Sequence, residues 1–324
     1  MTDIETLFGD RLRRDESLAK HSTLRIGGRA AYWIEAHSVE ELRETLRFAD
    51  EHDLPVEVVG LGSNVLFPDQ GIPGVVLRLA GSFCDWRVEE QGDGALVSIG
   101  AGAVNAHLVR GLLKDGWIGM EFLVLIPGTL GGAIAMNAGT REKELSSVLR
   151  RVELFAPPPG GDREPWMVTV LDAEDIEISY RHVALPKRSI VTGGVIRVDR
   201  GDTEAAWERV RADKEQRNET QPYRLASVGS TFKNPEGDYA GRLIEAVGLK
   251  GHGVGGARVS PLHANFFINE KDATAEDFLR LMATARVRVR QRFGIELRPE
   301  VKFVGFDGWA RLQAIEDDFE KQGC

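Results

Sequence analysis

The feature that most constrains this chain is the clustering of its glycines. It holds 36 glycines among 324 residues, about 11% against an average near 7%. The densest stretch is Ile126-Pro-Gly-Thr-Leu-Gly-Gly-Ala-Ile-Ala-Met-Asn-Ala-Gly139, in which seven of fourteen residues are Gly or Ala and Asn137 is the one strongly polar side chain. A packed helix or strand interior wants larger side chains, so such a run suggests backbone laid against something flat. A crowded loop packed on a sheet is the other reading. The surrounding apolar segment, residues 122–138, is crossed by Pro127, Gly128, Gly131 and Gly132. It falls short of the roughly 20 smoothly apolar residues of a membrane helix.

A second cluster, Gly60-Leu-Gly-Ser-Asn64, follows a predicted strand. It resembles the opening of a dinucleotide fingerprint, but no third glycine and no helix follow. Phe67-Pro68-Asp69 turns into another strand instead. A small-residue loop of this kind either wraps a pyrophosphate with its bare N–H groups or makes a tight structural turn.

Along the chain, residues 30–36 read as a strand, Ser38–Glu41 as a capping box opening a helix through Leu42, Leu46 and Ala49, and 56–59 as a second strand. This is a strand–helix–strand unit of the kind that builds parallel pairs. Strands follow at 74–79 and 95–99, a helix at 105–114, and strands at 151–155, 166–170 and 190–198, with a proline-glycine turn at 157–161. Near residue 200 the texture changes to a polar helix over 202–219, and the domain boundary is placed there. Beyond it come a glycine-bearing loop at 225–237, a short helix at 239–247, a strand at 265–268 and a long helix at 273–293 closed by Gly294. A strand at 300–304 and an amphipathic helical tail end the chain. The arginines at 286, 288, 290 and 292 read as a solvated face near the helix C-terminus, where cations favour the dipole.

Hydrophobic residues make up 42% and charged residues 28%, an ordinary globular balance that leaves disorder unlikely. The net charge of −9 argues against a nucleic-acid partner. Two cysteines, Cys84 and Cys324, cannot build a disulfide framework, so a cytoplasmic setting is expected. No basic start leads into an apolar run, so neither a secretory signal nor a membrane anchor is expected. The seven histidines show no metal spacing, and no metal is expected. Gly229-Ser230 lacks the Gly-x-Ser-x-Gly elbow, and His252 and His263 have no obvious acidic partner, so a Ser-His-Asp hydrolase is weakly supported.

Taken together, one ordered set of segments resembles the UDP-N-acetylenolpyruvoylglucosamine reductase family, in its shorter, second type. The set comprises His21–Gly28, Val59–Leu66, Ile126–Gly132 with Met136–Gly139, and Tyr180-Arg181. It continues with Gln221-Pro222, Gly229–Pro235, Gly248–Gly251, Gly255–Ala257, Val259-Ser260, His263–Phe266 and Pro299–Val301. It spans roughly residues 20–305. Leu125, Thr140–Lys143 and Val183 depart from the family pattern.

The resemblance implies an α+β fold: an FAD-binding domain of the vanillyl-alcohol-oxidase type, made of two α+β subdomains, followed by an α+β substrate domain. The FAD-binding domain would cover 1–200 with a helical segment at 1–20, the substrate domain 201–305, and a helical tail 306–324. It implies NADPH-dependent, FAD-mediated reduction of UDP-N-acetylglucosamine enolpyruvate to UDP-N-acetylmuramate in peptidoglycan precursor synthesis, and so a part in cell-wall growth, cell shape and division. Hydride would pass from flavin N5 to the enolpyruvyl methylene carbon, and Ser230 would protonate the neighbouring carbon, with Arg181 and Glu300 stabilising the intermediate. A fixed guanidinium suits developing carboxylate charge, and a held hydroxyl can deliver a proton where water is excluded.

By the same resemblance, non-covalent FAD would meet Gly60, Leu61, Gly62, Ser63, Asn64, Val65, Leu66, Pro127, Gly128, Thr129, Gly131, Gly132, Met136, Asn137 and Gly194. Substrate would meet Tyr180, Gln221, Lys233, Asn234, His263 and Asn265. Two other functions fit the same residues less closely: an FAD-dependent oxidoreductase of another sugar or alcohol, and a non-catalytic nucleotide-sugar binding homologue.

Overall fold

The computed structural model describes residues 4–158, 161 and 165–321. The expected turn at 157–161 falls partly outside the described residues, as does Cys324. The chain divides into two units. One takes in the chain up to Arg13, then Tyr32–Leu61 and Gly74–Glu215; the other takes in Arg14–Ala31, Gly62–Pro73 and everything from Gln216 onward. The late break between the units falls inside the helix Thr203–Thr220. Two early segments also belong with the C-terminal third.

Most of a four-stranded sheet lies in the first unit. The helix Val39–Glu51 follows the strand Arg29–Ala36, with the Ser38 side chain accepting from the Glu41 N–H at its start. The strand Val56–Val58 then pairs in parallel with Ile72–Leu79 rather than with Arg29–Ala36. The parallel pair expected of this segment thus forms through a third, later strand. Phe8, Ile34, Leu42, Leu46, Val75 and Leu77 close the core beneath it.

A larger antiparallel sheet is centred on Ile190–Arg200, flanked by Leu149–Ala156 and Gly94–Gly100. The helices Asn105–Lys114 and Leu130–Ala135 pack with it, burying Leu108, Leu112, Leu130 and Ile134 against Val97 and Ile196. Burying one Leu or Ile side chain contributes about 1.5–3 kcal/mol, so this face alone anchors both helices. Gly194 on the central strand permits the approach, because a Cβ there would stand 2.8 Å from Ile134 Cδ1.

In the second unit, Ser227–Ser230, Phe266–Asn269, Ala257–Val259 and Gly253–Val254 form an antiparallel sheet in that order. The long helix Ala275–Phe293 lies with it, opened by a Thr274–Asp277 capping box and closed by Gly294 in the left-handed region. Phe267 meets both Phe232 and Phe278 edge-on, with ring centroids 5.7 and 6.0 Å apart. The tail forms the helix Gly308–Lys321, whose Leu312 and Ile315 are buried in this core.

Three expectations need correction. Leu12–Ser17, expected to be helical, is a strand at the end of its sheet, and its half-exposed residues carry no alternation to read. The expected loop at 225–237 contains the strand Ser227–Ser230. Arg286 is not on a solvated face: it is 4% exposed and pairs with the equally buried Glu316. Positions 286 and 290 share a helix face that 288 and 292 do not, since i and i+4 stack.

Candidate functional site

The glycine stretch 126–139 is anchored at its start by main-chain bonds. Asn105 N–H donates to the Gly128 carbonyl at 3.0 Å, and its side-chain amide donates to the Ile126 carbonyl at 3.2 Å. Leu130 and Gly131 N–H groups then donate to Ala103 and Ala101 at 2.9 and 2.8 Å. Pro127 and Gly128 lead into Thr129, which is buried, and Gly131 rests against Ala101. Gly60 comes to this stretch as well, because a Cβ on it would stand 2.7 Å from Thr129 Oγ1. Gly60 and the 126–139 stretch, far apart in sequence, therefore share one place in the first unit. Their small residues are needed for backbone approach.

At the end of that stretch Asn137 takes a left-handed φ of 42° and is 2% exposed. Both ends of its side chain are engaged inside the protein. Oδ1 accepts from Ser146 N–H at 2.9 Å, while Nδ2 donates to Glu144 Oε2 at 2.9 Å and to the Ser179 carbonyl at 3.2 Å. Asn137 thus shapes the loop, and Met136 beside it caps the short helix.

Arg181 sits with Tyr180 in the turn between Ile178–Ser179 and His182–Val183, at a left-handed φ of 55°. Its guanidinium lies 4.9 Å from the Tyr180 ring centroid. It donates to the Gly139 carbonyl at 2.7 Å, to the Asn137 carbonyl at 3.3 Å and to Glu144 Oε1 at 3.4 Å. Glu144 is not legible as a site residue in the sequence; it follows Thr140–Lys143, which close a turn in which the Thr140 N–H donates to the Lys143 carbonyl at 2.9 Å.

The second unit gathers Ser230, Lys233 and Glu300. Gly229, at φ 75°, interrupts the pairing of Ser227–Ser230 with Phe266–Asn269 and re-aims the Ser230 side chain, as a bulge does. Immediately beyond, the Lys233 N–H donates to the Arg298 carbonyl at 2.9 Å and the Glu300 N–H to the Thr231 carbonyl at 2.8 Å. The two segments thus meet at the Phe232–Pro299 bridge, with Thr231, the residue after Ser230, bonded to Glu300. The Glu300 carbonyl in turn accepts from Asn64 Nδ2 at 3.0 Å, and Lys302–Phe303 pairs with Val65–Leu66. Gly62 completes the corner with φ 63°, where any Cβ would collide with the His21 carbonyl. Ser63 is half-buried there.

Asn265 clasps Phe232 at both of its main-chain groups, at 3.0 and 2.8 Å, so it fixes the segment that carries Ser230. Asn234 accepts from the Ala240 N–H at 3.1 Å at the start of the next helix. Gln221 follows directly on the helix Thr203–Thr220. His263 Nδ1 accepts from the Asn265 N–H at 3.2 Å. Burial, with Lys250 adding to it, holds the His263 imidazole below the ordinary histidine range.

Two buried side-chain oxygens in these segments have no hydrogen-bond partner: Asn64 Oδ1 and Asn105 Oδ1. Buried acceptors of this kind call for donors from outside the chain or from water. Each sits on or against one of the glycine runs, and the hydroxyls and ring N–H of a flavin nucleotide are donors of the required type. The residues fit FAD in that respect. Asn105 was not legible as a site residue, since it looks like an ordinary first residue of an amphipathic helix. Among the described residues no group of three or more His, Cys, Asp and Glu is placed to hold a metal.

Residues 30–160 match the model of an FAD binding domain, and residues 221–304 match that of the UDP-N-acetylenolpyruvoylglucosamine reductase C-terminal domain. The UDP-N-acetylenolpyruvoylglucosamine reductase of Anaeromyxobacter sp. strain K is 43% identical over 90% of this chain and 85% of its own length. That of Bacillus velezensis is 35% identical over 90% and 93% respectively. The crystal structure of the Thermus caldophilus UDP-N-acetylenolpyruvylglucosamine reductase superposes with a TM-score of 0.75 at 34% identity, covering 90% of this chain and 98% of that one.

Proposed function

The chain belongs to the UDP-N-acetylenolpyruvoylglucosamine reductase family, and from that premise we propose how its own residues carry out the reaction. The enzyme is a flavoprotein oxidoreductase that reduces UDP-N-acetylglucosamine enolpyruvate to UDP-N-acetylmuramate, with NADPH as reductant. Bound FAD supplies the hydride that reaches the enolpyruvyl methylene carbon. The small-residue runs 60–66 and 126–132 hold the cofactor through backbone N–H groups, with Asn64 and Asn105 accepting from its donors. Gly194 acts at one remove, by letting the helix Leu130–Ala135 settle on the sheet.

As electron density moves toward the substrate carboxylate, Arg181 offers a guanidinium held by two carbonyls, so little reorganisation is needed when charge develops. Ser230 delivers a proton to the carbon next to the carboxylate. Lys233 and Asn234, three and four residues after Ser230, stabilise the resulting alkoxide. Glu300 completes the set. Tyr180, Gln221 and His263 contact the nucleotide sugar. With a UDP-sugar and NADPH as substrates the enzyme acts in the cytoplasm, without a nucleic-acid partner or membrane attachment.

The observation that supports this reading is the Glu300–Thr231 main-chain bond of 2.8 Å, which ties the residue after Ser230 to the backbone of Glu300. Anaerobic absorption spectroscopy tests it. The wild-type protein should be yellow, bleach with NADPH, and regain its colour when the enolpyruvyl substrate is added. Ser230→Ala should bleach at the wild-type rate and recover about 10²–10⁴-fold more slowly, the usual worth of a positioned acid. Recovery at the wild-type rate removes Ser230 from the role.

A further inference from the structure

Glu144 stands at the junction of the two elements that present Arg181. Its Oε1 lies 3.4 Å from Arg181 Nη1, and its Oε2 accepts from Asn137 Nδ2 at 2.9 Å. Its backbone pairs with Gly139, whose carbonyl accepts from Arg181 at 2.7 Å. One carboxylate therefore holds both the loop that supplies the orienting carbonyls and the guanidinium that those carbonyls orient. Arg181 is 15% exposed in its side chain and Glu144 30%, so the pair is partly shielded from water. A contact as long as 3.4 Å leaves much of the cationic charge available to another anion.

We propose that Glu144 is the positioning residue for Arg181: through Asn137 and the Gly139 carbonyl it fixes the guanidinium in the orientation that receives the substrate carboxylate. This rests on the reading that Arg181 meets that carboxylate. Glu144 is a better clamp than a neutral side chain would be. A carboxylate accepts from both Asn137 and Arg181, whereas an amide in its place must turn a donor toward one of those two donors. The left-handed backbone at both Asn137 and Arg181 requires such an over-determined surrounding to persist.

The test compares Glu144→Gln, Arg181→Ala and the double variant, in the FAD-loaded enzyme. Each is assayed for flavin bleaching by NADPH, for recovery with the enolpyruvyl substrate, and for substrate binding by calorimetry. Glu144→Gln should leave the bleaching rate and thermal midpoint near wild type. It should slow recovery about 10–100-fold, the scale of a small misplacement of a reacting group, and weaken substrate binding. In the Arg181→Ala background it should cost nothing more. If Arg181→Ala alone recovers normally, the reading of Arg181 fails, whatever Glu144 does. If Arg181→Ala is slow while Glu144→Gln matches wild type, or if Glu144→Gln costs as much with Arg181 absent, the positioning role is overturned. Should Glu144→Gln not fold, Glu144→Asp, which keeps the charge on a shorter stem, is read by the same criteria.

Discussion

The Arg286–Glu316 pair joins the long helix to the tail helix inside the second unit, and its removal has a calculable cost. Arg286 donates through Nε to Glu316 and through Nη1 to the Leu297 carbonyl, and it lies over the Trp309 ring at 4.8 Å. Glu316 also receives Arg290 Nη1 at 3.1 Å. Glu316→Gln keeps the shape but removes the buried negative charge opposite the Arg286 guanidinium. Breaking one side of a buried pair costs about 3–5 kcal/mol. Arg286 retains the Leu297 carbonyl and the half-exposed Glu296, 3.2 Å away, which puts the expected loss near the lower figure, about 3 kcal/mol. At roughly 2–4 °C per kcal/mol for a domain of 150–250 residues, the unfolding transition of this unit should fall by about 6–12 °C in scanning calorimetry.

Replacing both partners, Arg286→Met with Glu316→Leu, leaves no stranded charge and should recover most of that loss. A Glu316→Gln midpoint within about 1 °C of wild type would show that the pair contributes little. A double variant as unstable as the single one would show that the loss came from packing rather than charge.

Three further outcomes follow from the same reasoning. Gly229→Ala forces an L-residue to φ 75° and should destabilise by about 1–2 kcal/mol while lowering turnover, because Ser230 is re-aimed; unchanged kinetics in a folded variant would contradict the bulge argument. Gly194→Val should cost about 1–3 kcal/mol in a urea titration, because its added carbons meet Ile134 beneath the short helix. Burial depresses the folded pKa of His263, and of His252 with it, so the unfolded chain binds more protons as pH falls. Their contribution to stability is complete above about 6.5 and declines below it. Urea midpoints should drop between about pH 7 and pH 5, and His263→Gln should flatten that slope.

Much of the proposed site could be read from the sequence because its chemistry sits in short local signals. Gly229-Ser230, Tyr180-Arg181 and the two glycine runs each lie within a few residues, and the small side chains of 126–139 already implied close backbone approach. What escaped was set by partners distant in sequence. Asn105 reads as one polar residue at a helix start, and only the fold reveals that its oxygen is buried without a donor. Glu144 follows a turn of unusual residues, so attention fell on what was altered there rather than on the carboxylate that closes it. Arg286 was misread because alternation of arginines suggests solvent, although the four-residue spacing to Arg290 already separated one pair from the other. The strand Leu12–Ser17 gave no signal because three of its six residues are exposed and none is buried, so no alternation shows.

The discontinuous make-up of the second unit has a consequence for how the protein is born. Leu24, Ile26 and Leu66 are buried among Phe232, Phe267 and Leu281, yet they leave the ribosome long before those residues exist. At 5–20 residues per second, the interval spanning roughly 150 residues of intervening chain lasts on the order of ten seconds. Through that time the early apolar segments have no native surface to join. A truncation at residue 200 would split that core, leaving Leu24, Ile26 and Leu66 on one fragment and their partners on the other.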